Sequence, residues 1–222
     1  ELYSGASVPF KYKGANQTNL VSTNADFETF SGTQDNGVTD SFTDWTVQST
    51  EGTTEATATA QTASNAVKFI RTSGSDYGAL RVYRTITVIA GKQYKLSFWT
   101  RGDATYDGKY AVHDGAGYIL YYTSTGVTGT TYTQVNYEFT ATTTSALIIF
   151  AGAQSNSTTY FDNASLTQIG AVAEYDGSGV GKLRWDDKSG NELHGIITAG
   201  ATAPTVENAP ADADSGLTYE EG

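Results

Sequence analysis

Short runs in which apolar and polar side chains alternate recur along the middle of the chain. In "KQYKLSFW", Tyr94, Leu96 and Phe98 alternate with Lys95, Ser97 and Trp99. The same two-residue period is carried by "DWTVQS", "AVKFIRT", "GALRVYRTITV", "KYAVHD", "GYILYY", "YTQVNYEFT", "ALIIFAG" and "TYFDNASL". That period belongs to half-buried strands, whose successive side chains point to opposite faces. Clusters of Gly, Asn, Asp and Ser separate the runs, and no window sustains the i, i+3, i+4, i+7 stripe of a helix. The pattern predicts an all-β protein, an antiparallel β-sandwich or barrel with almost no helix. It extends from Asn19 to Ile169, a normal size for one domain of about 150 residues.

The flanks lack this texture. Residues 1–18 read as an N-terminal connector. Residues 170–222 read as an irregular C-terminal extension, loosely packed, or as an incomplete second domain, with the acidic stretch from Ala203 extended. A chain that starts with Glu and holds no Met reads as a piece of a longer one.

Composition sharpens the β assignment: 35 Thr stand against 10 Leu, with 15 Tyr and 24 Gly. β-branched and aromatic residues suit a pleated surface, whereas helices favour Leu, Ala, Glu and Lys. The net charge of −11 disfavours nucleic acid and anionic membranes as partners. No apolar run approaches the length of a membrane helix, so membrane insertion is not expected. The absence of Cys removes disulfides, thiol chemistry and Cys-ligated zinc, and leaves the compartment open.

One strand contains an anomaly. In "STTYFDNASLTQIG" a regular alternation puts Tyr160, Asp162, Ala164 and Leu166 on one side. Ala164 and Leu166 look like core, and a bare carboxylate beside them costs several kcal/mol unless it is compensated.

In order along the chain, "NLVSTNADFET", "DWTV", "SNAVKF", "AGKQYKLSFWTRG", "YTQVNYEFTA" and "TYFDNASLTQI" resemble the jelly-roll carbohydrate-binding modules of families four, nine and twenty-two. The resemblance covers roughly residues 19–169 and implies a jelly roll that binds a polysaccharide or cell-surface glycan. It also implies a structural Ca2+ where the first and last strands meet, with Glu28 and Asp162 at the positions of the family's acidic ligands. The carbonyl of Asp26 and the polar turn from Thr62 to Asn65 would supply the remaining oxygens. Calcium accepts six to eight such oxygens in a tolerant geometry. This turn has no acidic residue, which predicts a weaker site. The alternative is that Asp162 caps a turn or pairs with Lys68 or Arg71. The flanking strings "ELYSG" and "AEYDGSG…WDDKSGNELHG" resemble pieces of laminin-G/concanavalin-like lectin domains. Such strings occur together in phage tail-fibre-like proteins. That association points to an extracellular or virion-associated protein with neighbouring domains, and leaves open whether the parent is a homotrimer.

A sugar site is expected around Trp99. It shares a strand face with Lys95, Ser97 and Arg101, an odd setting for so much apolar surface unless a pyranose ring stacks on it. Gln134 and Glu138 belong to the polar set of a second strand and His113 to that of a third. Tyr106 and Tyr110 flank a Gly-containing loop. If these strands share a sheet, the eight residues form a polar cleft with an aromatic floor. Trp45, early in the sandwich, is assigned to the core.

Catalytic motifs are weak. "DGSGVGKL" lacks the first Gly and the final hydroxyl of a phosphate-binding loop. No H-E-x-x-H or G-x-S-x-G pattern occurs. Glu138 and Asp114 are the one carboxylate pair placed to face each other as a glycosidase requires. The chain is therefore read as a non-enzymatic glycan binder, the alternative being a spacer or assembly segment of a tail-fibre-like protein.

Overall fold

The computed structural model describes residues 10–12, 18–75, 77–170, 173–180, 184–187 and 194–196. In chain order the strands are β1 (Phe10–Tyr12), β2 (Phe30–Ser31), β3 (Ser41–Phe42), β4 (Thr46–Ser49), β5 (Gly52–Thr57), β6 (Ala66–Arg71), β7 (Leu80–Thr87) and β8 (Gln93–Arg101). They continue as β9 (Lys109–Asp114), β10 (Ile119–Ser124), β11 (Thr133–Thr140), β12 (Ser145–Ala151), β13 (Ser157–Ile169), β14 (Ala173–Val180), β15 (Arg184–Asp187) and β16 (Gly195–Ile196). No helix occurs among the described residues.

The chain divides into two units, Gln17–Gln168 and a second formed by Glu1–Asn16 with Ile169–Gly222. The first is a sandwich of two five-stranded antiparallel sheets. One has the order β10-β9-β12-β7-β4 and the other β11-β8-β13-β6-β5. From β6 onward the chain passes repeatedly from one sheet to the other, the jelly-roll arrangement expected from the sequence. In the second unit, β1 pairs with β14, and β15 with β14 and β16, so the segments read as connector and extension share one four-stranded sheet.

Alternation explains the core. Tyr94, Leu96 and Phe98 point inward from β8, Leu80, Val82 and Ile86 from β7, and Ile148 and Phe150 from β12. Phe150 lies at the centre, with ring centroids 4.8 Å from Phe98 and 5.0 Å from Phe161. Trp45 packs here as expected, 5.0 Å from Phe27 and 5.7 Å from Phe150, and its indole N–H donates to the carbonyl of Asn24 at 2.9 Å. Burying each such side chain contributes about 1.5–3 kcal/mol.

Strand β13 departs from regular alternation. Ser157, Thr159 and Phe161 are buried, and then Asp162, Ala164, Leu166 and Gln168. The slip occurs at Asn163, whose φ of 50° is left-handed. An extra residue of this kind is a bulge, and it re-aims every side chain beyond it. Tyr160 therefore faces out from the sandwich, not to the side of Asp162 as strict alternation required.

Candidate functional site

On the outer face of the second sheet, β8 presents Lys95, Ser97, Trp99 and Arg101, all half-buried. Strand β11 runs antiparallel beside it, with Gln134 opposite Trp99, Asn136 opposite Ser97 and Glu138 opposite Lys95. Five of the eight residues expected to hold a sugar are thus brought onto one face: Lys95, Trp99, Arg101, Gln134 and Glu138. Tyr160 joins them from β13, with the Arg101 guanidinium 4.4 Å from its ring centroid. Tyr132 stands half-buried nearby and donates its hydroxyl to the carbonyl of Thr59 at 2.8 Å. Burial and the charge of Asp162 push its phenol above the ordinary range.

Tyr110 and His113 do not join them, because β9 belongs to the opposite sheet. In "KYAVHD" Tyr110 and Val112 point inward. Tyr110 is core, its ring 5.0 Å from Phe98 and 5.5 Å from Tyr121. His113 faces out from the first sheet. Tyr106 is exposed in the loop after β8, where the Asp103 carboxylate accepts the amides of Thr105, Tyr106 and Thr158. Asp114 also lies in the first sheet, and its carboxylate accepts the amides of Ala116 and Tyr118. Glu138 and Asp114 stand on different sheets and do not face each other.

The outer face of the first sheet is ordered in cross-strand rows. One row runs Thr46, Tyr83, Ile149, Ala111, Tyr122 across β4, β7, β12, β9 and β10. Its tyrosines are three strand spacings apart, roughly 14 Å, and the apolar residues between them, Ile149 and Ala111, are fully buried. A second row runs Gln48, Arg81, Ala151, Lys109, Ser124, and a third Thr85, Leu147, His113, Ile119. Polar side chains dominate the second row, and Arg81 donates twice to Gln48 Oε1, at 3.2 and 3.0 Å. Tyr77, from the loop before β7, lies over this face, its centroid 4.3 Å from that of Tyr122 and its hydroxyl 3.1 Å from His113 Nε2. Burial and the charge of Arg81 lower the His113 pKa, against an opposing pull from Asp114. Lys109 donates to the carbonyl of Ser75 at 3.0 Å.

Sequence reasoning missed this second grouping. Arg81 and Tyr83 were legible as the outward set of β7, opposite Leu80, Val82 and Ile86. Tyr77 sits in a loop without periodicity, and nothing in the sequence places it over β9 and β10.

Asp162 and Glu28 converge on the turn at 61–65. Asp162 is fully buried and accepts the amides of Gln61 at 2.8 Å, Thr62 at 3.4 Å and Asn163 at 2.7 Å. Glu28 accepts the amides of Ser64 at 2.8 Å and Asn65 at 2.6 Å, and the Asn65 side chain at 2.7 Å. Asp26 contacts the Glu28 amide at 3.5 Å and lines a cleft of about 560 Å3 with Asn24, Asn163 and Ser165. Neither Lys68 nor Arg71 pairs with Asp162; Lys68 pairs with Asp35 and Glu55, and the partners of Arg71 include Glu51. Asp162 does cap the turn, as the alternative reading had it. Burial, reinforced by the charge of Glu28, pushes the Asp162 carboxyl up to about 6. All four carboxylate oxygens of this junction accept N–H bonds, from the turn or from Asn163. Among the described residues, no group of three or more acidic, His or Cys side chains is assembled for a metal.

No protein-family profile matches the sequence, and no curated protein matches it. Solved structures do resemble it. A candidate sugar-binding protein from Bacteroides thetaiotaomicron VPI-5482 superposes with a TM-score of 0.50 at 11% identity, over 68% of this chain and 100% of that one. A CBM4 structure gives 0.49 at 14% identity, over 66% of this chain and 98% of that one. TmCBM61 in complex with β-1,4-galactotriose gives 0.48 at 18% identity, over 68% and 99%. At these identities the likeness is one of fold.

Proposed function

We propose that the sandwich is a non-catalytic carbohydrate-binding module whose glycan lies across the outer face of the first sheet. The observation that carries this reading is the row joining Tyr83 to Tyr122 over Ile149 and Ala111, flanked by Gln48, Arg81 and Lys109. Arg81 lies over the Tyr83 ring at 4.8 Å and Tyr77 over Tyr122 at 4.3 Å, so a sugar would use the uncovered parts of these rings, whose apolar surface suits sugar C–H faces. Arg81, Gln48 and Lys109 add donors and acceptors along one side. A site of this kind holds a ligand in the micromolar to millimolar range, about 4 to 8 kcal/mol.

The same reading includes a structural calcium at the junction of Glu28 and Asp162, with Asp26, Thr62 and Asn65 around it. The ion would supply positive charge between two carboxylates and pin the ends of the sandwich. The residues there hold the strands together and take no part in contacting sugar.

Affinity electrophoresis through gels containing soluble polysaccharides, preceded by a glycan array, tests the binding face. Retention by a glycan should weaken by about tenfold or more in Tyr83→Ala and in Tyr122→Ala, with little change in melting temperature. Equal retention by both variants would remove this face from the proposal.

A further inference from the structure

We infer that the outer face of the second sheet carries a separate site for a carboxylate-bearing saccharide, with Trp99 as the ring platform and Arg101 as the partner of the carboxylate. The inference depends on the reading above only for the class of ligand, since the two sites lie on different sheets and share no residue.

Arg101 is the starting point. Its guanidinium lies over the Tyr160 ring, and its Nε is buried with no hydrogen-bond acceptor. No carboxylate among the described residues forms an ion pair with it. Two acidic groups of the region are engaged by backbone amides. Asp103 is held by three backbone amides, and Asp162 by three others. Glu138 stands opposite Lys95 in the register of β11 and β8. Among the described residues neither Arg101 nor Lys95 forms an ion pair on this face, and Arg101 is the one whose planar cation is stacked on a ring.

Arginine is suited to take a planar carboxylate through two parallel N–H bonds, and stacking on an aromatic ring fixes the plane of the fork. Here Tyr160 provides that stacking, while Nε is sealed and the terminal nitrogens are left to donate outward. Trp99 is on the same face of β8, two residues away, about 7 Å along the strand. That separation suits a sugar ring on the indole with its carboxylate at the guanidinium. Gln134, exposed and directly opposite Trp99, is placed to bond ring hydroxyls. A neutral sugar would use the platform and leave the guanidinium without a partner. A uronate uses both.

The test is calorimetric titration of the 222-residue protein with an oligogalacturonate, with its carboxyl-reduced counterpart and with a sulfated oligosaccharide of similar length. The oligogalacturonate should bind, and binding should weaken about tenfold or more in Arg101→Gln and in Trp99→Ala. Arg101→Lys, which keeps the charge and loses the fork, should fall between wild type and Arg101→Gln, with its melting temperature as the folding control. Tyr83→Ala should bind the uronate as wild type does. The site is overturned if wild type binds no oligogalacturonate at millimolar concentration, or if Arg101→Gln binds it unchanged. Equal affinity for the carboxyl-reduced sugar, or preference for the sulfated one, overturns the carboxylate assignment. Loss in Tyr83→Ala instead of Arg101→Gln would place uronate binding on the first face and overturn the inference while leaving the proposed function standing.

Discussion

Glu28 and Asp162, from the first and last segments of the sandwich's sequence, close on a single turn, Glu28 through the amides of Ser64 and Asn65 and Asp162 through those of Gln61 and Thr62. Removing the Asp162 carboxylate leaves buried amides without an acceptor, at a cost of about 1–3 kcal/mol. In a domain of this size that lowers the melting temperature by roughly 2–4 °C per kcal/mol. Asp162→Ala should therefore melt several degrees below wild type. Calcium should raise the melting temperature of wild type and a chelator should reverse the rise, with neither acting on Asp162→Ala. A wild-type melting curve indifferent to both reagents would refute the metal and leave the hydrogen-bonded anchor in place.

Lys68 holds a buried ionic cluster together. Its ammonium bonds to Asp35 and lies 3.2 Å from Glu55 Oε2, with Glu55 fully buried. Burial alone would lower the Lys68 pKa, yet the two carboxylates raise it. Truncating Lys68 strands the charge of Glu55 in the interior, which costs about 3–5 kcal/mol. Lys68→Ala should lose stability on that scale in urea denaturation, while Lys68→Met combined with Glu55→Met recovers most of it. A single substitution as mild as the double one would mean that Glu55 does not depend on Lys68 for its charge balance.

The bulge in β13 depends on one backbone conformation. Asn163 sits at φ 50° and its side chain donates to Gln61 Oε1 at 2.8 Å and Thr62 Oγ1 at 2.6 Å. Asn163→Gly loses those bonds but accepts the left-handed backbone. Asn163→Val loses both, and a β-branched residue is poorly tolerated there. Valine should therefore be less stable than glycine by about 1–2 kcal/mol. Equal stabilities would mean that the strand can shed its extra residue.

The two-layer β fold was legible because β8 carries an unbroken period of two and the inward sets of β7 and β12 are mostly apolar. The junction of Glu28 with Asp162 was legible through family resemblance. Alternation itself pointed to Asp162 for a partly wrong reason, since it also placed Tyr160 inside. A bulge changes the phase of a strand without changing its composition, so Tyr160 could not be assigned. Five of the eight sugar candidates share one face, and Tyr110 and His113 were kept from it by sheet membership. The runs containing His113 and Trp99 look alike, and which sheet each joins depends on long-range pairing that periodicity does not encode. Tyr77 reaches its place by a loop path that no local pattern records.

The imidazole of His113 gives the first face a dependence on pH. It is buried beneath Tyr77, close to the charges of Arg81 and Asp114, and its pKa is lowered by burial first and by Arg81 second. Its folded pKa lies below the unfolded value of 6.5. The stability it contributes is therefore complete above that value and lost as pH falls through the folded one. Protonation also makes Nε2 a donor only, so a tyrosine hydroxyl that donates to it in the neutral state must turn away. Melting temperature and glycan retention should both decline from about pH 7 to 5 in wild type, and this part of the decline should be absent in His113→Gln. A variant whose pH profile tracks wild type throughout would show that the imidazole stays in one protonation state over this range.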